Sequence, residues 1–338
     1  MNIDIALIRG DGIGPEISEA TLEVLRALEQ KFRLQLNIIE VEAGDRCLAK
    51  NGRALPEETV EIIRKSDVCL KAPVGKSAAE VIVKLRQMLN LYGNVRPTIS
   101  MPYVNCLRDD IDFVIVRENT EGLYKGYEFD VEDGAAAIRV ITKKASSRIA
   151  EYAFRMAESR NKMKKVIAVH KANVMKKTCG VFLRSCYDVA KKYSGVEFSD
   201  MLVDAAAMNL IRQPQTFDVI LTTNMFGDIL SDEAAQLTGG LGLAASGNIG
   251  DEMAIFEPVH GSAPDIVGKE KSNPLSMILS AKMMFEWLAT RGSQVSEVSR
   301  SINESVKHVL ASGKTTPDLG GSLSTEEMGK EIARQIFS

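Results

Sequence analysis

Short runs of β-branched and apolar residues alternate along this chain with longer segments in which apolar positions recur every three or four residues, and that alternation predicts an α/β fold rather than a sandwich or a bundle. Strands are expected at residues 3–8, 36–41, 67–71, 113–116, 138–142, 166–170 and 219–222, with one more, residues 201–204, ending at Asp204. Helices are expected where start signals precede apolar periodicity: at Pro15-Glu16, at Pro56-Glu57-Glu58, and after Ser146-Ser147, where Ile149, Ala150, Ala153 and Phe154 share a face. Beyond Pro274 the pattern turns almost wholly helical, through 277–289, 295–310 and 325–336. No internal repeat or low-complexity tract interrupts it. The Pro- and Gly-marked joints at 96–102 and 239–250 predict two lobes, a large one from residues 1–98 plus 251–338 and a smaller one from 99–250, with a cleft between them.

Composition narrows the class. At 338 residues the chain exceeds what one core usually organises. A hydrophobic fraction of 45% with 26% charged residues and a net charge of −3 gives no electrostatic reason to expect nucleic acid as a partner. Five cysteines, with no C-x-x-C pair, argue against a disulfide framework and a structural zinc site. No apolar stretch approaches the ~18 residues of a membrane span and the start does not read as a signal peptide, so a cytoplasmic protein with no membrane partner is expected.

Five segments could carry chemistry. Arg9 to Glu16 is a glycine loop between strand and helix, but its spacing is not G-x-G-x-x-G, and Glu16 sits where a pyrophosphate would need a free helix N-terminus; a plain βα turn is the favoured reading. Asp228 and Asp232 lie four residues apart on one helical face among apolar neighbours, and with Asp204 they offer the oxygen-only ligands that suit Mg²⁺ or Mn²⁺; a solvated acidic face is the alternative. Arg86, Arg96 and Arg117 could grip the carboxylates of a diacid, or form ordinary surface ion pairs. Lys171, directly after a strand, stands where desolvation could make it a base, and His170 beside it reads as a satisfied strand-end histidine. In the small-residue loop from Glu257 to Ile266, His260 and Asp265 could contact an adenosine, an acid at the ribose favouring NAD over its 2′-phosphorylated form; a simple turn also fits.

Taken together, these strings resemble the isocitrate and isopropylmalate dehydrogenase family of β-decarboxylating dehydrogenases. The likeness runs from Gly10-Asp11-Gly12-Ile13-Gly14-Pro15-Glu16, through Arg117-Glu118-Asn119-Thr120-Glu121-Gly122, His170-Lys171-Ala172-Asn173 and Gly227-Asp228-Ile229-Leu230-Ser231-Asp232, to His260-Gly261-Ser262-Ala263-Pro264-Asp265. The resemblance implies a two-lobed α/β fold that is not a Rossmann fold, a homodimer or dimer-based oligomer whose cleft borrows partner residues, and oxidative decarboxylation of a hydroxy diacid with NAD and Mg²⁺ or Mn²⁺. It assigns Arg86, Arg96, Arg117 and Asn173 to the substrate, Asp204, Asp228 and Asp232 to the metal, and Lys171 and Tyr124 to base and acid. Asn224, His260, Gly261, Ser262, Ala263, Asp265, Ile266 and Asn273 fall to the coenzyme.

The substrate is read from the stretch before Arg86. Members that use isocitrate place a Ser and an Asn six and four residues before that arginine; here Glu80 and Ile82 stand there, a repulsive and an apolar wall for an extra carboxylate. Some homoisocitrate members carry an Arg where this chain has Val83. Ile82 and Val83 would bury an isopropyl group, worth roughly 2 kcal/mol, which points to 3-isopropylmalate and leucine biosynthesis. The string from Arg117 to Tyr124 is more like the isocitrate and homoisocitrate branches, though similar strings occur in archaeal-type isopropylmalate members. Homoisocitrate, isocitrate or a malate- or tartrate-type substrate is the alternative, and a non-catalytic regulatory subunit is the alternative of a different class.

Overall fold

A computed structural model describes residues 2–338. The strands are β1 (Asn2–Ile8), β2 (Gln35–Val41), β3 (Val68–Lys71), β4 (Gly93–Ile99), β5 (Asp112–Glu118), β6 (Glu128–Val131), β7 (Gly134–Ala137), β8 (Lys165–His170), β9 (Glu197–Leu202), β10 (Val219–Thr222), β11 (Ala245–Ile249) and β12 (Ala254–Pro258). The helices are α1 (Gly14–Phe32), α2 (Asp45–Asn51), α3 (Glu57–Lys65), α4 (Lys84–Met88), α5 (Lys143–Arg160), α6 (Thr178–Ala190), α7 (Val203–Arg212), α8 (Asn224–Leu237), α9 (Leu275–Thr290), α10 (Ser296–Ala311) and α11 (Thr325–Ile336). Ten strands form one sheet in the order β2-β1-β3-β12-β11-β4-β5-β10-β8-β9, and β6 and β7 pair as a separate hairpin. The fold is α/β, as the alternating pattern predicts.

Both faces of the sheet are covered. On β1, Ile5 and Leu7 pack with α1 and α9–α11 while Ala6 and Ile8 join the cluster over α3 and α4. On β5, Val114 and Val116 face the first side while Phe113 and Ile115 meet α7 and α8 on the other. Double burial makes these strands near-continuous apolar runs, which is why the sequence shows them.

The middle of the sheet is different. β11 runs antiparallel to both β12 and β4, and β4 antiparallel to β5, so the two expected joints hold strands as well as loops. Their Gly, Asn and Pro content hides them. Pro97 is tolerated because it lies beyond Val95, the last β4 residue that pairs with β11.

Three local expectations need correction. Residues 138–142 are no strand: the strand is β7, one bridge joins Val140 to Gly122, and Thr142 caps α5 by accepting from the Ala145 amide at 3.2 Å. Helix α5 therefore starts ahead of Ser146. Asp204 does not end a strand; β9 stops at Leu202, and Asp204 lies in the first turn of α7, where a carboxylate suits the helix dipole. Glu257 belongs to β12 rather than to the loop after it.

Candidate active site

The parallel strands deliver their chemistry at their C-terminal ends, where ligands sit in open α/β sheets. Lys71 ends β3, Arg117 is the penultimate residue of β5, His170 ends β8, and Asn224 opens α8 just after β10. Arg96 comes from the antiparallel β4 and Arg86 from α4.

Three arginines are buried here, Arg86, Arg96 and Arg117 being only 5%, 7% and 1% exposed. Two of them converge on one carboxylate. Asp228 Oδ1 accepts from Arg96 Nη2 at 3.2 Å and from Arg117 Nη1, while Asp228 Oδ2 accepts from the Tyr124 hydroxyl at 2.5 Å. Arg96 Nη1 also reaches Asp232 at 3.3 Å and the Ser231 hydroxyl at 2.6 Å. The Arg117 guanidinium lies 5.2 Å from the Tyr124 ring centroid. Helix α8 can lie this close to β5 because residue 227 is glycine: a Cβ there would stand 2.6 Å from Arg117 Cγ.

Burial and charge set the protonation. Desolvation, with Arg96 and Arg86 nearby, lowers the Arg117 guanidinium to about 9. Burial would raise the Asp228 carboxyl, but Arg117 and Arg96 outweigh it and hold the group below the usual range. Asp232 goes the other way, burial and the neighbouring Asp228 raising it against the pull of Arg96. Tyr124 is raised by burial and by its bond to Asp228, so its hydroxyl keeps its proton well into alkaline pH.

The loop that carries Tyr124 is pinned by its own glutamates. Glu118, buried and raised by desolvation, accepts from the Thr120 amide, the Thr120 hydroxyl and the Glu121 amide at 2.7–2.9 Å. Glu121 in turn accepts from Thr142. These roles escaped the sequence reading, although two acids beside Asn119 and Thr120 are the composition of a self-bonded turn.

Lys171 and Asp204 form a second station. Lys171 Nζ donates to Asp204 Oδ1 at 2.5 Å, with the Asp204 side chain 61% exposed. His170 is satisfied, Nε2 standing 2.9 Å from Asp200 and Nδ1 accepting from the Ala172 amide at 3.0 Å. Asn173 lies exposed in the following turn. Among the described residues of this one chain, no three acidic, histidine or cysteine side chains stand close enough to hold a metal ion, so Asp204 does not join Asp228 and Asp232 within a protomer.

The coenzyme candidates occupy one surface with two exceptions. His260, Gly261, Ser262, Ala263, Asp265 and Ile266 line the loop after β12, half-buried or exposed. That loop is tied to the first glycine turn: the Ile13 amide donates to the Ser262 carbonyl at 3.0 Å, and Glu16 accepts from the Gly268 amide at 2.6 Å and the Ser272 hydroxyl at 3.2 Å. Glu16 is thus a tether, in line with the turn reading. Asn224 is buried with its carbonyl oxygen accepting from Arg117 at 2.7 and 3.0 Å, and Asn273 caps α9 through Leu275 N and donates to Asp318. Their amides are occupied by the protein.

Ile82 and Val83 are half-buried in a turn of π-helix, Ala79–Val83, that runs straight into α4. That continuity puts both on the flank of Arg86, three and four residues on. Ile82 also packs on the apolar cluster under α3 and α4. One feature the sequence reading missed is a buried ion pair: Lys71 Nζ to Glu257 at 2.6 Å, with Arg86 Nη2 at 3.3 Å on the other oxygen. Three charges far apart in sequence leave no local pattern to find.

With this geometry established, comparison with known proteins is informative. Residues 4–332 match the isocitrate/isopropylmalate dehydrogenase family. The chain is 51% identical over 335 residues, 99% of each chain, to 3-isopropylmalate dehydrogenase of Methanothermobacter thermautotrophicus. It is 46% identical over 349 residues, covering 98% of this chain and 97% of the other, to homoisocitrate dehydrogenase of Methanocaldococcus jannaschii. The crystal structure of isocitrate dehydrogenase from Methylococcus capsulatus superposes with a TM-score of 0.94 at 43% identity, over 99% of this chain and 100% of that one.

Proposed function

Because the chain belongs to the isocitrate/isopropylmalate dehydrogenase family, we propose that it catalyses the NAD- and Mg²⁺- or Mn²⁺-dependent oxidative decarboxylation of 3-isopropylmalate to 4-methyl-2-oxopentanoate and CO₂, a step of leucine biosynthesis. The observation that carries this reading is the gathering of buried Arg96, Arg117 and half-buried Tyr124 on Asp228, with Arg86 alongside. Guanidiniums so placed bind the two carboxylates of a hydroxy diacid. The apolar Ile82 and Val83 beside Arg86 suit an isopropyl branch better than a third carboxylate. Four archaeal relatives at 47–51% identity are named 3-isopropylmalate dehydrogenase and a fifth, at 49%, 3-isopropylmalate/3-methylmalate dehydrogenase, which supports the same choice.

Asp228 and Asp232 form an oxygen-only donor set that fits a hard divalent cation, and Asp204 has the right chemistry to complete it from a second copy of the chain. Lys171 would cross with Asp204. Apolar side chains exposed on α7 and α8 (Met208 67%, Ile211 61%, Ile229 60%) and Phe129 on the β6–β7 hairpin support a homodimer built on those elements. NAD, held by His260 to Ile266 with Asn224 and Asn273 behind, supplies the hydride acceptor, and the cation supplies charge stabilisation at the substrate hydroxyl oxygen. Lys171 takes the hydroxyl proton, Asn173 borders the substrate, and Tyr124 protonates the carbon that loses CO₂. Asp265 repels a 2′-phosphate, favouring NAD.

In this reading the coenzyme lobe is 1–98 plus 251–338, and the lobe 99–250 brings the metal acids and the dimer face. No helix of the described residues is long and apolar enough to cross a membrane. All five cysteines are free thiols, which supports a cytoplasmic setting. The test is NADH absorbance with Mn²⁺ and racemic 3-isopropylmalate, isocitrate, homoisocitrate, malate and tartrate in parallel. The highest kcat/KM is expected with 3-isopropylmalate; no NADH from it would end the substrate assignment, and none from any of the five would end the enzymatic reading in favour of a regulatory subunit.

A further inference from the structure

Asn248, the penultimate residue of β11, is fully buried and directly opposite Asn94 of β4 in the antiparallel ladder. Its carbonyl oxygen accepts from three donors: Arg86 Nε at 2.9 Å, Asn119 Nδ2 at 3.0 Å and Asn94 Nδ2 at 3.1 Å. Its amide nitrogen donates to Glu257 Oε1 at 2.8 Å and to the Ile255 carbonyl at 3.2 Å. Asn94 then presents its own oxygen to Arg96 Nε at 2.7 Å. Both arginines are therefore gripped at Nε, Arg86 resting its Nη2 on Glu257 and Arg96 reaching Ser231, Asp232 and Asp228 with its outer nitrogens, and both Nε grips lead back to one side chain.

From this arrangement we infer that Asn248 is a positioning residue for the diacid site, fixing Arg86 directly and Arg96 through Asn94. The side chain must be a carboxamide. A carboxylate would set oxygen against Glu257 and the Ile255 carbonyl, and an aliphatic group would leave Arg86 Nε and Asn94 Nδ2 without this acceptor while Asn119 Nδ2 kept only the Leu91 carbonyl and Glu257 Oε1 only Arg86 Nη2. The orientation of the amide is unambiguous, since flipping it would face donors with donors and acceptors with acceptors. The same oxygen that receives Arg86 also receives Asn119, two residues beyond Arg117 on the chain, so the clamp and the start of the Tyr124 loop share one anchor. Asn248 touches neither the proposed substrate nor the coenzyme loop 260–266 in any of these bonds.

The inference rests on the proposed use of Arg86 and Arg96 as a carboxylate clamp, and the experiment separates the two. Calorimetric titration of the purified protein with 3-isopropylmalate and Mn²⁺, and separately with NAD, is carried out on wild type, Asn248→Ala, Asn248→Asp, Asn94→Ala and the double variant Asn94→Ala with Asn248→Ala. Leaving buried donors unmet costs enough to weaken diacid binding at least about tenfold, with NAD affinity within about twofold of wild type. The Asn248→Ala and Asn94→Ala effects should combine less than additively, because both act through Arg96. Crystal structures of the variants give the readout that needs no ligand: Arg86 and Arg96 should leave their wild-type positions. Diacid and NAD affinities falling together, or both guanidiniums unmoved in Asn248→Ala, would overturn the positioning role. A wild type that binds no hydroxy diacid would overturn the functional reading instead, while the crystal structures still decide for or against Asn248.

Discussion

The Tyr124 hydroxyl donates to Asp228 at 2.5 Å, so the proposed proton donor is bonded to a proposed metal carboxylate. Burial and Asp228 raise the Tyr124 phenol above its ordinary range, so the protonated, active donor persists through neutral pH and activity should fall only in strongly alkaline solution. Tyr124→Phe should lower kcat by about 10²–10⁴-fold and abolish that alkaline decline in what remains. A pH profile of kcat for both enzymes checks this, and an unchanged alkaline limb in the variant would remove Tyr124 from the proton path.

Glu257 is the buried counter-charge of Lys71 and Arg86, and it is held at about 2 because those cations and Asn248 outweigh the effect of burial. A carboxyl whose folded pKa is depressed stabilises the fold above its unfolded value of about 4 and loses that contribution as pH falls toward 2. Glu257→Gln strands two buried cations and should cost about 3–5 kcal/mol at pH 7, with the gap to wild type narrowing below pH 4. Urea unfolding at pH 7, 4 and 3 measures it; a gap that stays constant with pH would show that the carboxylate charge is not the cause.

Asp265 is exposed in the loop proposed to hold the coenzyme, beside half-buried Ile266. Replacing the pair by Lys and Tyr supplies a cation for a 2′-phosphate and removes the repelling acid. The ratio of kcat/KM for NAD to that for NADP should fall by about 10²-fold or more, the scale of a charge pair gained and a repulsion lost. If the ratio holds steady, the ribose does not sit at Asp265.

Sharing of the site between subunits has its own signature. Tyr124→Phe and Asp204→Asn are each expected to be nearly inactive as homodimers. If Tyr124 of one copy works with Asp204 of the other, half of randomly reassembled dimers are mixed and each carries one intact site, so activity should return to about a quarter of wild type. Unfolding the two variants together and refolding them gives the measurement. No recovery, with mixed dimers demonstrated by mass, would place each site within one subunit.

How much of this was legible in the sequence depends on whether the signal was local. Most of the parallel strands, though not β12 or the body of β9, and the glycine turn announced themselves because burial on both faces and a tight βα connection leave compact patterns, as at residues 3–8 and Gly10 to Glu16. The strands β4 and β11 did not. Their Asn, Gly, Arg and Pro residues look like loop because the sheet centre carries a polar network there instead of a core, with Asn94 and Asn248 filling positions that apolar residues hold elsewhere. Arg96, Arg117, Tyr124 and Asp228 were found by motif and proved to be gathered on Asp228, with Arg86 held instead by Asn248 and Glu257, whereas Lys71, Glu118, Glu257 and Asn248 were given no role. Each of those acts through a partner that is distant in sequence or lies in a self-bonded turn. Asn224 and Asn273, assigned to the coenzyme from their motif positions, have most of their hydrogen-bonding capacity taken up by Arg117, Glu121, Leu275 and Asp318.

The turn at Gly12 has a positive φ of 58°, and a Cβ there would stand 2.0 Å from the Ser262 carbonyl. The earliest turn of the polypeptide is consequently a backstop for a surface that forms some 250 residues later in synthesis. Until that late segment arrives, the backstop has nothing to press against, and the helices α9–α11 that complete the core over β1 have yet to follow. An alanine at position 12 would then announce itself as feeble coenzyme capture before any loss of the surrounding architecture.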